Sequence, residues 1–291
     1  VSNYRRIRRG ALIGALAAVS SLALTATALA HEGEFAKFND CPSTTTGVLK
    51  CVNAVTYGGT IVLGNKTTPI VNPVTLQGGI SKPDESEQST FFAASDGNTL
   101  SKTPEPVPGG LADLIPKSSV PALLLPLYEA VFENGLTGVN ATLELAKPAS
   151  EIRISEFNLL LEEETALHLP VKVHLENPFL GSSCYVGSSS SPIIWNLTSG
   201  ETSPPAPNTP IHGSSGLAEL KEEGRIVTVE GAKLVDNSWA APTATGCGGA
   251  LSLLLDPVVN TTVGLPAAAG KNTAILENNI NVATAVAVNN H

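Results

Sequence analysis

The chain reads as a mainly β protein, an antiparallel sandwich or flattened barrel with one or two short apolar helices. Three observations predict this. Period-two alternation of apolar and polar residues recurs along the chain. Gly, Pro, Asn, Ser and Thr punctuate those runs, with only 15% charged residues among the 291. Four cysteines, Cys41, Cys51, Cys184 and Cys247, all follow a leader-like N-terminus.

The clearest strand runs through Leu167, Leu169, Val171, Val173 and Leu175, which alternate with His168, Pro170, Lys172, His174 and Glu176. Apolar side chains on one face and polar ones on the other describe a strand laid against a core. Val139, Ala141, Leu143 and Leu145 repeat the pattern, as do Ile152 and Ile154. So does a C-terminal run of Ile280, Val282, Thr284, Val286 and Val288. Shorter candidates are residues 60–63, 74–76, 91–93, 193–195, 226–229 and 233–235. About ten strands suit a sandwich or a barrel.

Residues 118–135 break the β pattern. Ser118 and Ser119 are candidate caps, Pro121 suits a first turn, and Gly135 is placed to end a helix. Leu124, Leu127, Tyr128 and Val131 form a helical stripe, and Leu123, Leu125 and Phe132 extend it around the rod. An all-round apolar helix is expected to be buried, and Pro126 to kink it. The segment plugs one end of the β structure or walls an apolar pocket. Leu251, Leu254, Leu255 and Val258 suit either a second helix or a strand.

The N-terminal 30 residues carry the layout of a secretory signal peptide. Arg5, Arg6, Arg8 and Arg9 precede an apolar run, and Ala28-Leu29-Ala30 offers a small-residue cleavage site. The expected mature chain, 31–291, is a single β-rich domain with long loops at about 78–110 and 181–216. It is expected to be secreted, outside the cell or in the envelope, with no transmembrane segment. In that oxidising setting the cysteines can pair. Three pairings are open. Cys41 with Cys51 closes a short hairpin-like loop, which leaves Cys184 with Cys247. A four-cysteine zinc site fits poorly with spacings of ten, 133 and 63.

Charge excludes some partners. All 26 acidic residues follow position 30, where Arg153 and Arg225 are the only arginines. A chain so acidic lacks the clustered cations that neutralise phosphate, so nucleic acid is not an expected partner. No cofactor or metal site is expected, since no HExxH, CxxC, GxGxxG or P-loop pattern occurs.

Weaker chemistry-bearing residues have ordinary structural readings. His168 and His174 share a strand face roughly 20 Å apart, too far for one metal. Glu162–Glu164 and Glu222–Glu223 read as solvated turns, and Trp195, Trp239 and Tyr185 as core anchors more than sugar platforms. Gly246-Cys-Gly-Gly249 only loosely resembles a phosphate-cradling loop. Four Asn-x-Thr sequences, at Asn65, Asn140, Asn196 and Asn260, are glycosylation acceptors only in a eukaryotic secretory path.

Residues 177–187, Asn-Pro-Phe-Leu-Gly-Ser-Ser-Cys-Tyr-Val-Gly, with 192–198, Pro-Ile-Ile-Trp-Asn-Leu-Thr, resemble a segment of uncharacterised secreted proteins of high-GC Gram-positive bacteria. Residues 35–42, Phe-Ala-Lys-Phe-Asn-Asp-Cys-Pro, are similar to the mature start of those proteins. The resemblance implies export and source, and brings no activity with it.

Three functions follow. The first is a secreted non-enzymatic protein that acts by binding or structure at or near the cell surface, as an envelope component or outside it. The second is a carrier of an apolar small molecule or lipid, with Leu124, Leu127, Tyr128 and Val131 as pocket wall. The third is a secreted hydrolase, for which His212 and Ser214 are the one inviting pair.

Overall fold

The computed structural model describes residues 31–84 and 86–291. The leader reading falls on residues 1–30, outside the described residues. Among the described residues fourteen strands make one sheet. In chain order they are β1 (Lys50–Leu63), β2 (Lys66–Pro69), β3 (Val74–Ile80), β4 (Ser89–Ala93), β5 (Pro104–Pro106), β6 (Asn140–Leu145) and β7 (Arg153–Ile154). Then come β8 (Leu167–Glu176), β9 (Tyr185–Val186), β10 (Ile193–Leu197), β11 (Leu217–Lys221), β12 (Ile226–Asp236), β13 (Ala244–Thr245) and β14 (Thr273–Thr284). The α-helices among the described residues are α1 (Gly110–Leu114), α2 (Leu125–Glu133), α3 (Glu156–Leu161), α4 (Ser252–Val263) and α5 (Ala285–Asn289).

The sheet curls until it meets itself. From β12 the path runs through β14, β1, β3, β4, β7 and β8, and β10 pairs with β8. Thr198, just past β10, then exchanges both backbone hydrogen bonds with Val235 of β12, at 3.0 and 2.8 Å. That exchange closes a barrel, which satisfies edges that would otherwise stand open. β4 makes the corner: Ser89 and Thr90 pair with β7, while Phe91–Ala93 pair with β3.

β8 belongs to the barrel only as far as Val171. Its N-terminal half pairs with β7 and β10, and its C-terminal half with β6 and β9. The barrel thus opens at this end into a sandwich. The alternation predicted for β8 holds: Leu167, Leu169, Val171, Val173 and Leu175 are all buried. Each such side chain, fully buried, contributes about 1.5–3 kcal/mol.

Two strands keep their faces by means of bulges. On β1, Thr56 pairs with Asn278 and Gly58 with Glu277, so Tyr57 is an extra residue. The extra residue shifts the inward face from Val52, Ala54 and Thr56 to Ile61 and Leu63. On β12 the same irregularity falls between Val229 and Ala232, and it joins the two segments read separately from sequence, 226–229 and 233–235, into one strand.

Both disulfides form, Cys41–Cys51 and Cys184–Cys247. The first fastens the N-terminal 3₁₀ turn (Gly33–Phe38) and its loop to β1, around Phe35, Phe38 and Val288. The second joins the β8–β9 loop to the β13–α4 loop.

Some expectations need correction. The C-terminal alternation does not continue as a strand: β14 stops at Thr284, whose hydroxyl accepts the Ala287 N–H and caps α5. Ser118 and Ser119 cap nothing. They lie in a separate 3₁₀ turn, and α2 starts at Leu125 after a second one. Pro126 sits in the first turn of α2, where no N–H is needed, so it costs no hydrogen bond. Nor is α2 buried all round, for Leu123 is 78% exposed, Leu127 47% and Phe132 37%. The 251–258 segment is helical, and α4 buries Leu255, Val259 and Val263. The loops at 78–110 and 181–216 contain β4 and β5, and β9 and β10, respectively.

Candidate functional site

The barrel interior is not filled. Between β1, β3, β8, β10, β12 and β14 lies a cavity of about 80 Å³, lined by Val52, Ala54, Leu76, Leu167, Leu169, Trp195, Leu234, Leu276 and Ile280, among others. A water needs only roughly 10–15 Å³ of such space and two to four polar partners. This wall is almost wholly aliphatic. A second cavity of about 60 Å³ lies between the far halves of β1 and β8, walled by Ile61, Leu63, Val107, Ala141, Val173, Leu175, Val186 and Val263.

The few polar groups on the first wall are mostly engaged. Thr56 donates to Asn278 Oδ1 at 2.6 Å, and the Asn278 amide donates to the Leu276 carbonyl at 2.9 Å. Ser155 caps α3 by accepting the Asn158 N–H, and Glu156 is held by Lys50. The exception is Trp195. Its indole meets Trp239 edge-on with centroids 5.9 Å apart, and its buried Nε1–H has no hydrogen-bond partner. Trp239 Nε1 donates to the Asp236 carbonyl at 3.2 Å.

In the second cavity, Glu105 accepts the N–H groups of Val71 and Asn72, and Lys66 donates to the carbonyl and carboxylate of Asp113. Ile70, Val74 and Leu143 line both cavities.

The pocket wall expected from sequence lies elsewhere. Leu124, Tyr128 and Val131 are buried and Leu127 is half exposed, and none of the four lines either cavity. Tyr128 packs edge-on to Phe179 and donates its hydroxyl to the Ile115 carbonyl at 2.7 Å. Burial raises its phenol pKa above the ordinary value. Ile70, Leu76, Leu143, Leu169 and Trp195 were missed as a site because each lies in a different strand or loop. The available signal was inward parity: β8 places two wall residues in each cavity.

His212 and Ser214 are not brought into a catalytic arrangement. They share no hydrogen bond. Ser214 Oγ accepts the Gly216 N–H, and His212 is largely exposed with Nε2 4.0 Å from Glu162 Oε2. Glu162 instead holds Ser215, accepting its N–H at 2.7 Å and its hydroxyl at 2.9 Å. Nucleophilic activation needs the imidazole on the Ser214 hydroxyl, and His212 makes no hydrogen bond to it.

His168 hydrogen-bonds Asn196 across the β8–β10 ladder at 2.7 Å. His174 stacks on Tyr185 at 4.3 Å, with Lys172 over the same ring and Glu144 beside all three. Tyr185 is thus on the outer face of the sheet rather than a core anchor, while burial and the nearby Glu144 charge raise its pKa. The N–H groups of Gly246 and Cys247 are taken by Asp256 at 3.2 and 2.7 Å, so this loop binds its own carboxylate. Among the described residues no group of three or more His, Cys, Asp or Glu is placed to hold a metal ion, and no helix is long and apolar enough to cross a membrane. Comparison with known proteins finds no matching family model, no matching curated protein and no matching solved structure.

Proposed function

We propose that this chain is an extracytoplasmic binding protein that takes up an apolar small molecule inside its barrel. One observation carries the reading: a closed β barrel with a cavity of about 80 Å³ whose wall is aliphatic apart from Trp195 and a few engaged polar groups. Folded interiors are packed as densely as organic crystals, so unfilled aliphatic space of this size forgoes contact energy that a ligand can restore. Most of the wall comes from barrel strands, which keep a pocket preformed and reduce the ordering cost of binding.

Export is supported by two buried disulfides and by the leader-like residues 1–30. The acidic balance turns the outer surface away from nucleic acid and anionic lipid. The protein then acts by holding its ligand, with no chemistry performed on it.

Native mass spectrometry of the purified, oxidised protein beside a denatured control tests this. An apolar adduct lost on denaturation supports the reading. A bare mass, together with no tryptophan emission change on titration with apolar compounds, overturns it and leaves recognition through the outer surface.

A further inference from the structure

We infer that the ligand carries an unbranched alkyl chain, which passes from the first cavity into the second by displacing a partition of Ile70, Val74 and Leu143. This rests on the apolar-ligand reading and adds to it the shape of the ligand.

The two cavities are in series. Ile70, Val74 and Leu143 stand on the wall of both, so side chains rather than backbone separate them. Leu167 and Leu169 face the first cavity, Val173 and Leu175 the second. These positions cover about 27 Å of continuous strand at ~3.4 Å per residue. β1 follows the same course, and its bulge at Tyr57 keeps Ile61 and Leu63 turned toward the second cavity.

Two small chambers that share three wall residues and follow one strand suit a flexible chain. A fused-ring or broad planar ligand needs one wide chamber. The second wall carries no aromatic ring, so nothing there selects for stacking. Leu143 is the only partly buried member of the partition, whereas Ile70 and Val74 are each 6% exposed. Leu143 is therefore the side chain freest to change rotamer.

The test titrates full-length oxidised protein with straight-chain fatty acids from hexanoate to hexadecanoate. It reads tryptophan emission, to which Trp195 on the first cavity wall and Trp239 packed against it both contribute. Each methylene buried is expected to tighten binding about fourfold, and the gain should continue past the chain that fills the first cavity. Leu143→Phe and, separately, Ile70→Phe thicken the partition. Either variant, once its thermal melt shows it folded, should end the gain at a shorter chain, while Leu143→Ala preserves it for long chains. A gain that stops at the same short chain in the wild type and in Leu143→Ala overturns the two-cavity ligand and leaves the apolar reading standing. No emission change with any chain, and no displacement of a bound anilinonaphthalene dye, overturns both.

Discussion

Gly59 stands opposite Leu276 across the β1–β14 ladder, at φ +118°, and a Cβ placed on it would lie 2.0 Å from the Ile275 carbonyl oxygen. The bulge that turns both halves of β1 toward the interior therefore depends on a residue without a side chain. Gly59→Ala combines a left-handed conformation with a backbone collision, and we expect a loss of about 2–4 kcal/mol in urea unfolding. Gly97→Ala is the control. Gly97 also has a positive φ, +78°, but nothing lies within 4 Å of its added Cβ. It should cost only about 1 kcal/mol. Equal losses at the two sites would mean that the close approach at Gly59 relaxes without effect.

Ala54 offers the simplest way to fill the first cavity. It lies on β1 with its methyl on the cavity wall, between Val52 and Thr56. Ala54→Ile adds methylenes to empty space and is β-branched, which suits a strand. We expect the ligand-free protein to gain about 0.5–2 kcal/mol while apolar ligands bind at least tenfold more weakly. Thermal melts with and without a bound alkyl compound measure both effects. A variant that is less stable and still binds would show that Ala54 does not face usable space.

How much of this could be read from the chain depends on how locally each signal is written. β8 was legible because one strand with one buried face carries its whole pattern in consecutive residues. β1 was legible only at Thr60–Leu63, because Tyr57, Gly58 and Gly59 look like a turn in sequence and form a bulge in the sheet. The run beyond Ile280 misled because Val286 and Val288 continue the period of two in sequence, whereas the residues α5 buries are Ala285 and Val288, one helical turn apart. The pocket was the least legible part. Apolar character is concentrated in 120–132, so α2 drew attention, whereas the cavities take one to a few residues from each of many separated segments. No window of sequence contains them.

The disulfides are expected to differ in their contributions. Cys41–Cys51 spans ten residues and Cys184–Cys247 spans 63. By loop-closure entropy the first stabilises by about 3 kcal/mol and the second by about 4. Paired Cys→Ala replacements, compared by urea unfolding, should place the Cys184–Cys247 variant about 1–1.5 kcal/mol below the other. The long loop also aligns Gly246 and Cys247 with Asp256. If removal of the short-loop bridge proves the more damaging, native packing around Phe35 and Phe38 outweighs chain entropy.

Glu162 gives the fold a defined acid response. Its carboxylate accepts the Ser215 N–H and then the Ser215 hydroxyl, and His212 lies beside it, so its pKa falls below the ordinary 4.5. A folded-state pKa below the unfolded one means that the unfolded chain binds a proton first as pH drops. The stabilisation is complete above about pH 4.5 and is lost as pH falls through the lowered folded value. Glu162→Gln keeps the shape and one acceptor but removes the charge. At neutral pH the variant should melt below the wild type, and the gap should close as the pH is taken below 4.5. Because the two bonds from Ser215 are the main cause, most of the gap should persist in added salt. A melting difference that stays constant from neutral to strongly acid pH would assign the effect to side-chain packing at the α3 terminus instead of to the ionised carboxylate.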